Sequence, residues 1–177
     1  MAEALSYAID DQDRLIRLDD GFYEFAEENG WHGAGDSLGR SLWDFVAGDE
    51  LKKVQRILLR RLRDEVREID LPVRCDGPDI RREMQLRIVA HPSGRTVLFA
   101  AKVRSEQARE PQQILDPDAL RADDELEMCG WCDRFLVEGE WVEVEEATLQ
   151  LELFRRSELP RIAHGICDRD RKLLLGA

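Results

Sequence analysis

Residues 68–103, EIDLPVRCDGPDIRREMQLRIVAHPSGRTVLFAAKV, hold three β-like runs separated by two turn signals. Gly77-Pro78-Asp79 and Pro92-Ser93-Gly94 supply the turn chemistry, since proline presets φ and glycine accepts positive φ. Met84, Leu86 and Ile88 alternate with polar residues, as a strand with one buried face requires.

Upstream the spacing changes. Leu51, Val54, Ile57, Leu58, Leu62, Val66 and Ile69 follow an i, i+3, i+4, i+7 stripe, which predicts an amphipathic helix of about five turns beginning near Asp49. Before it, GRSLWDFV (39–46) sets Leu42, Trp43, Phe45 and Val46 too closely for a solvated turn, and they are expected to face the core. SYAIDDQDRLIRLDDGFYEFAEENG (6–30) reads as a hairpin turning at Asp10 to Asp13. A short helix follows, N-capped by Asp19 or Asp20, carrying Phe22, Phe25 and Ala26 on one side and stopping near Gly30. Two strands, short helices, a long helix and three strands make an α+β layout with a five-stranded antiparallel sheet.

A chain of 177 residues accommodates one main domain and a small appendage. Its 43% hydrophobic and 36% charged residues suit a soluble globular protein. No run approaches the roughly 18 to 20 apolar residues of a membrane span, and MAEALSYAIDDQDR lacks the basic flank and apolar stretch of a secretory signal, so a cytoplasmic protein without membrane association is expected. A net charge of -12 repels phosphate backbones and argues against nucleic acid as partner. The basic segment LKKVQRILLRRLRDEVR is interleaved with acids and reads as a solvated helix face.

The phrases YAIDDQDRLIRLDDGFYEFAEENG and GRSLWDFVAGDE, followed by the long helix and the three-strand segment, resemble a PAS domain of the bacterial signalling type. The likeness assigns residues 1–106 to a PAS-like sensory domain. It implies a curved sheet with helices over one face, enclosing a pocket for an unidentified small-molecule ligand or serving as a homodimer and signalling surface. Trp43, Phe45 and Trp31 are candidates for lining that pocket, with plain core packing as the alternative. The resemblance also implies a kinase or response regulator as partner. His32 reads as a solvated loop residue and Cys75 as structural.

Residues 107–127, polar and with two prolines, read as a linker carrying one short helix from Asp116 to Glu127. A module of residues 128–177 follows. Cys129-Gly-Trp-Cys132 is matched downstream by His164-Gly-Ile-Cys167, and three thiols plus one imidazole complete a tetrahedral set for a structural Zn²⁺. Between them RFLVEGEWVEV alternates around Gly139 as a hairpin, EEATLQLELFRRSELP predicts a helix ended by Pro160, and CDRDRKLLL predicts another helix starting at the second ligand pair. So short a tail, with few large apolar groups, is expected to depend on the metal for folding. It also resembles a C-terminal extension of bacterial PAS proteins and response regulators. There another cysteine often follows the HGIC element, at the place Asp170 occupies here, so Asp170 is a further candidate ligand.

No GxGxxG opening a βαβ unit, no GxxxxGK[ST], no nucleophile elbow and no HExxH occurs, and the phosphoacceptor and ATP-binding segments of a sensor kinase are missing. The expectation is a non-enzymatic sensory or regulatory protein of bacterial signal transduction, acting by ligand binding or dimerisation and signalling through a partner. The alternative is a thiol-based redox switch or oxidoreductase using Cys129 and Cys132.

Overall fold

The computed structural model describes residues 5–176. The opening hairpin is β1 (Leu5–Ile9) and β2 (Leu15–Leu18). Asp10 closes its turn, the carboxylate accepting from the N–H groups of Gln12 and Arg14. Asp19 then N-caps α1 (Asp20–Glu28), accepting from the Phe22 N–H at 2.8 Å and reaching back to the Ser6 N–H at 2.8 Å. Burial works against the Asp19 charge, but these bonds and the Ser6 hydroxyl outweigh it and hold the carboxyl below its ordinary pKa.

α2 (Asp49–Arg61) buries Leu51, Val54 and Leu58 of the predicted stripe and, beside them, Leu59, which the stripe did not include. It is shorter than the stripe implies. A π turn at Leu62–Val66 ends it, with Arg67 at φ 72°, and Ile69 belongs to β3 (Glu68–Arg74). Ile57 and Val66 are exposed, so the stripe ran on past the helix because strand burial of Ile69 happened to keep its phase.

β3 leads into β4 (Ile80–Ala90) and β5 (Val97–Ala108), and the sheet runs β2-β1-β5-β4-β3, antiparallel throughout. This is the predicted α+β architecture with a five-stranded antiparallel sheet. Val54 and Leu58 of α2 and Leu62 of the following π turn pack into a core with Ile9, Ile88, Val97 and Phe99. Tyr7 stacks on Phe99, its cross-strand neighbour, with centroids 4.5 Å apart.

After β5 the chain departs from expectation. Residues 116–127 form no helix. A 3₁₀ turn at Gln113–Leu115 is followed by β6 (Arg121–Cys129). Then come β7 (Phe135–Val137), β8 (Glu140–Val142), α3 (Val144–Gln150), β9 (Leu159–Gly165) and α4 (Asp168–Gly176). The second sheet runs β8-β7-β6-β9, with β6 and β9 parallel. Pro160, expected to end a helix, stands in β9. This sheet has a core of its own, in which Phe135, Val144, Ala147 and Leu153 pack with Leu126 and Met128 of β6. The C-terminal part is therefore better provided with apolar packing than its composition suggested.

The two parts share interior. Cys129, Trp131, Cys132, Ile166, Cys167 and Leu174 belong to the same apolar cluster as α2 and the first sheet. At the seam the backbones nearly touch. Gly48, at φ 84° just before α2, has no room for a side chain, since a Cβ built there would lie 2.1 Å from the His164 carbonyl oxygen of β9. Trp131 covers the outer edge of β3. Its carbonyl accepts from the Arg74 N–H at 3.0 Å and its indole N–H donates to the Pro72 carbonyl at 2.8 Å. Pro72, which has no N–H to offer, is tolerated there because β3 is an edge strand. Among the described residues no helix is long and apolar enough to cross a membrane.

Candidate metal centre

The cysteine pair lies where β6 turns into β7. The Cys129 N–H donates to the Arg134 carbonyl and the Asp133 N–H to the Cys129 carbonyl, at 2.8 and 3.0 Å, with Asp133 at φ 56°. This tight knuckle opens onto a strand and not a helix. β9 runs beside β6 with Gly165 opposite Cys129, so both strands end together. Two residues later Cys167 stands immediately before α4, and Asp170 lies in its first turn.

These elements converge four donor atoms. The Sγ atoms of Cys129, Cys132 and Cys167 and a carboxylate oxygen of Asp170 all lie within 4.8 Å of one another, and all four residues are buried. The Sγ atoms of Cys132 and Cys167 are 3.9 Å apart, and Asp170 Oδ2 lies 3.3 Å from Cys129 Sγ and 3.1 Å from Cys167 Sγ. A tetrahedral Zn²⁺ with Zn–S near 2.3 Å and Zn–O near 2.0 Å has S···S edges of about 3.8 Å and S···O edges of about 3.5 Å. The cluster has nearly those edges, whereas a disulfide holds its sulfurs at about 2.05 Å. The donor set fits a divalent metal that accepts soft thiolates.

The surroundings favour ionised sulfur. The Cys167 N–H donates to Cys129 Sγ and the Asp170 N–H to Cys167 Sγ, each at 3.4 Å. The adjoining Cys132 thiol, and then the Cys167 N–H, bring Cys129 down to about 6 against the pull of burial. Proximity to an ionised Cys129, with burial, pushes Cys132 up, and burial pushes Cys167 up to about 11. One thiol thus ionises readily, and the other two await a compensating charge, which a bound cation supplies. Arg169 pairs with the outer Asp170 oxygen at 3.0 Å and orients the carboxylate.

His164 is not the fourth donor of this cluster. It lies within β9 opposite Met128, half-buried, and burial lowers its pKa. The chain bends out of the strand between His164 and Cys167, whereas Asp170 follows Cys167 by one helical turn on the same helix face, the i, i+3 relation that brings side chains together. Asp170 thus completes the cluster of four donor atoms with the three thiols. Sequence reasoning raised Asp170 only as a second choice. Its spacing from Cys167 at a helix start was the available signal.

The aromatic trio is also placed differently. Trp31 and Phe45 are exposed and form a chain of ring contacts with Phe22. Trp43 lies under Arg56, its indole N–H donating to Asp13 at 2.9 Å. None of the three lines the cavity between α2 and the sheet. Tyr7, Leu58, Ile88, Phe99 and Trp131 do, and it encloses only about 100 Å³, below the roughly 300 Å³ of ordinary ligand sites. Trp131, whose place in CGWC carries no local sign of core packing, closes one wall of it.

No protein-family model and no curated protein matches the chain. Among solved structures, a C-terminal domain from Streptococcus mutans is 14% identical, covering 56% of this chain and 75% of its own, with a TM-score of 0.42. A sensory box sensor histidine kinase from Vibrio cholerae is 8% identical, covering 59% of this chain and 84% of its own, with a TM-score of 0.41.

Proposed function

We propose that the chain is a non-enzymatic regulatory module of bacterial signal transduction, in which a PAS-like sheet is locked to a zinc-bound C-terminal module and the assembled surface addresses a partner protein. The observation that carries this is the position of the Cys129, Cys132, Cys167 and Asp170 cage. It stands where the knuckle of the second sheet meets the start of α4, beside the β3 edge that Trp131 covers, so a metal there would join knuckle and helix and hold Trp131 against β3. Zn²⁺ bound by these residues would supply a redox-inert cross-link and no reaction. A thiol-exchange role is disfavoured by access, since the three cysteines are at most 3% exposed, though Cys132 borders the open groove, and exchange requires in-line attack by an outside thiolate.

Elemental analysis with native mass spectrometry of the purified chain tests the reading. One tightly held zinc per chain, released only on unfolding, and no turnover with glutathione or thioredoxin support it. A metal-free chain whose thiols cycle with those reductants overturns it in favour of the redox switch. The same spectra report whether the chain forms the homodimer proposed for its PAS-like part.

A further inference from the structure

An open groove of about 550 Å³ runs along the seam between the outer strands of the first sheet, the Trp131 knuckle and α4. Its charge is opposite to that of the whole chain. Arg74, Arg81, Arg104, Arg134 and Arg169 line it, against Glu83 and Asp170 as lining acids, in a protein of net charge -12.

What matters is how these guanidinium groups are occupied. Arg74 is fully engaged, bonded to Asp76 and Glu143. The other four present unused donors. Arg134 and Arg169 bond through Nε alone, to Glu143 and Asp170. Arg81 makes only long ion pairs to Glu143 and Glu83, at 3.6 and 3.9 Å, and the exposed Arg104 side chain lines the groove without an ion-pair or hydrogen-bond partner among the described residues. The terminal nitrogens of Arg104, Arg134 and Arg169 therefore have no protein acceptor within hydrogen-bond distance among the described residues, those of Arg81 make only long ion pairs, and all four side chains line one concavity. Guanidinium forks match planar or tetrahedral oxyanions bidentately. Apolar surface from Pro72, Trp131 and Leu173 lies between them, and the volume is that of a small-molecule site.

We propose that this groove binds a small ligand bearing two or more oxyanion groups, a phosphate ester or a polycarboxylate, with its body against Trp131 and Leu173. This extends the regulatory reading by naming a ligand class and a place outside the narrow interior cavity. It rests on the groove, so its failure leaves the zinc result standing. Arg81 and Arg104 from the sheet and Arg169 from α4 would clasp the ligand from both sides of the seam.

The test is calorimetric titration of the full zinc-containing chain at low salt with pyrophosphate, succinate and adenosine diphosphate as probes and hexaglutamate as a peptide control. The double variant R81Q/R104Q removes two groove cations that hold no hydrogen bond, and R17Q/R95Q removes two exposed arginines elsewhere. Saturable binding of one probe, weakened at least about tenfold in R81Q/R104Q and unchanged in R17Q/R95Q, is expected, with zinc content and melting curve preserved in both. The phosphate and carboxylate arms distinguish the two chemistries. Absence of saturable binding by every probe, equal weakening in both double variants, or binding only of an acidic peptide such as hexaglutamate overturns the proposal.

Discussion

The close approach of Gly48 to β9 yields a prediction whose size can be worked out. Two effects act on Gly48→Ala. An L-residue at φ 84° is strained by about 1 to 2 kcal/mol. Its Cβ would also meet the His164 carbonyl at 2.1 Å, backbone against backbone, and such overpacking costs about 1 to 3 kcal/mol more. The expected loss is therefore about 2 to 5 kcal/mol. Gly139→Ala separates the terms. Gly139 also has a positive φ, 88°, at the tip of the β7–β8 hairpin, with nothing within 4 Å of a built Cβ, so there only conformational strain, about 1 to 2 kcal/mol, applies. Urea unfolding of both variants, followed by tryptophan fluorescence and far-ultraviolet circular dichroism, measures the difference. If Gly48→Ala loses no more stability than Gly139→Ala, the seam is not tightly packed and the account of how the C-terminal module docks is wrong.

Asp170→Ala is expected to weaken zinc retention by more than about tenfold in competition with a chromophoric chelator, while His164→Ala leaves it unchanged; the reverse ranking would restore the histidine as ligand. Trp131→Phe keeps one aromatic ring but removes the indole N–H that serves the Pro72 carbonyl and leaves part of a buried site unfilled, for an expected loss of about 2 to 3 kcal/mol in urea unfolding, and no loss would show that the β3 edge is solvated there. Asp19→Ala is expected to destabilise by about 1 kcal/mol at neutral pH. Because the folded pKa lies below the ordinary 3.8, that contribution is complete above about pH 4 and disappears as pH falls through the folded value, so melting curves of parent and variant should converge in acid and stay parallel above it.

Where the sequence carried short-range signals, it could be read. The β1–β2 turn, the Asp19 cap, the buried face of α2 and the alternation in β4 each arise from residues a few positions apart, and each appears as predicted. The knuckle and the Glu138-Gly139 hairpin were legible for the same reason. β6 was not, because RADDELEM is polar along most of its length and its strand character comes from β9, a distant parallel partner. Only Leu126 and Met128 alternated to hint at it. Asp170 was the harder donor to see, because histidine is the commoner companion of three thiols and only the first turn of α4 brings this carboxylate to Cys167. That Trp131 would belong to the core of the first sheet was invisible for a like reason, since nothing local to CGWC records the edge of β3.

The covering of that edge by Trp131 has a consequence during synthesis. β3 leaves the ribosome well before the knuckle that protects it, and for as long as residues 128–176 are being made the strand shows its unpaired N–H and C=O groups to solvent. Bare strand edges are templates for pairing with other chains. Arg74 and Pro72 limit the hazard, one by charge and the other by removing a donor, but protection is complete only when the last elements fold back. A nascent chain stalled before Cys129, or one released into zinc-starved cells, should partition to aggregates from an otherwise correctly formed first sheet.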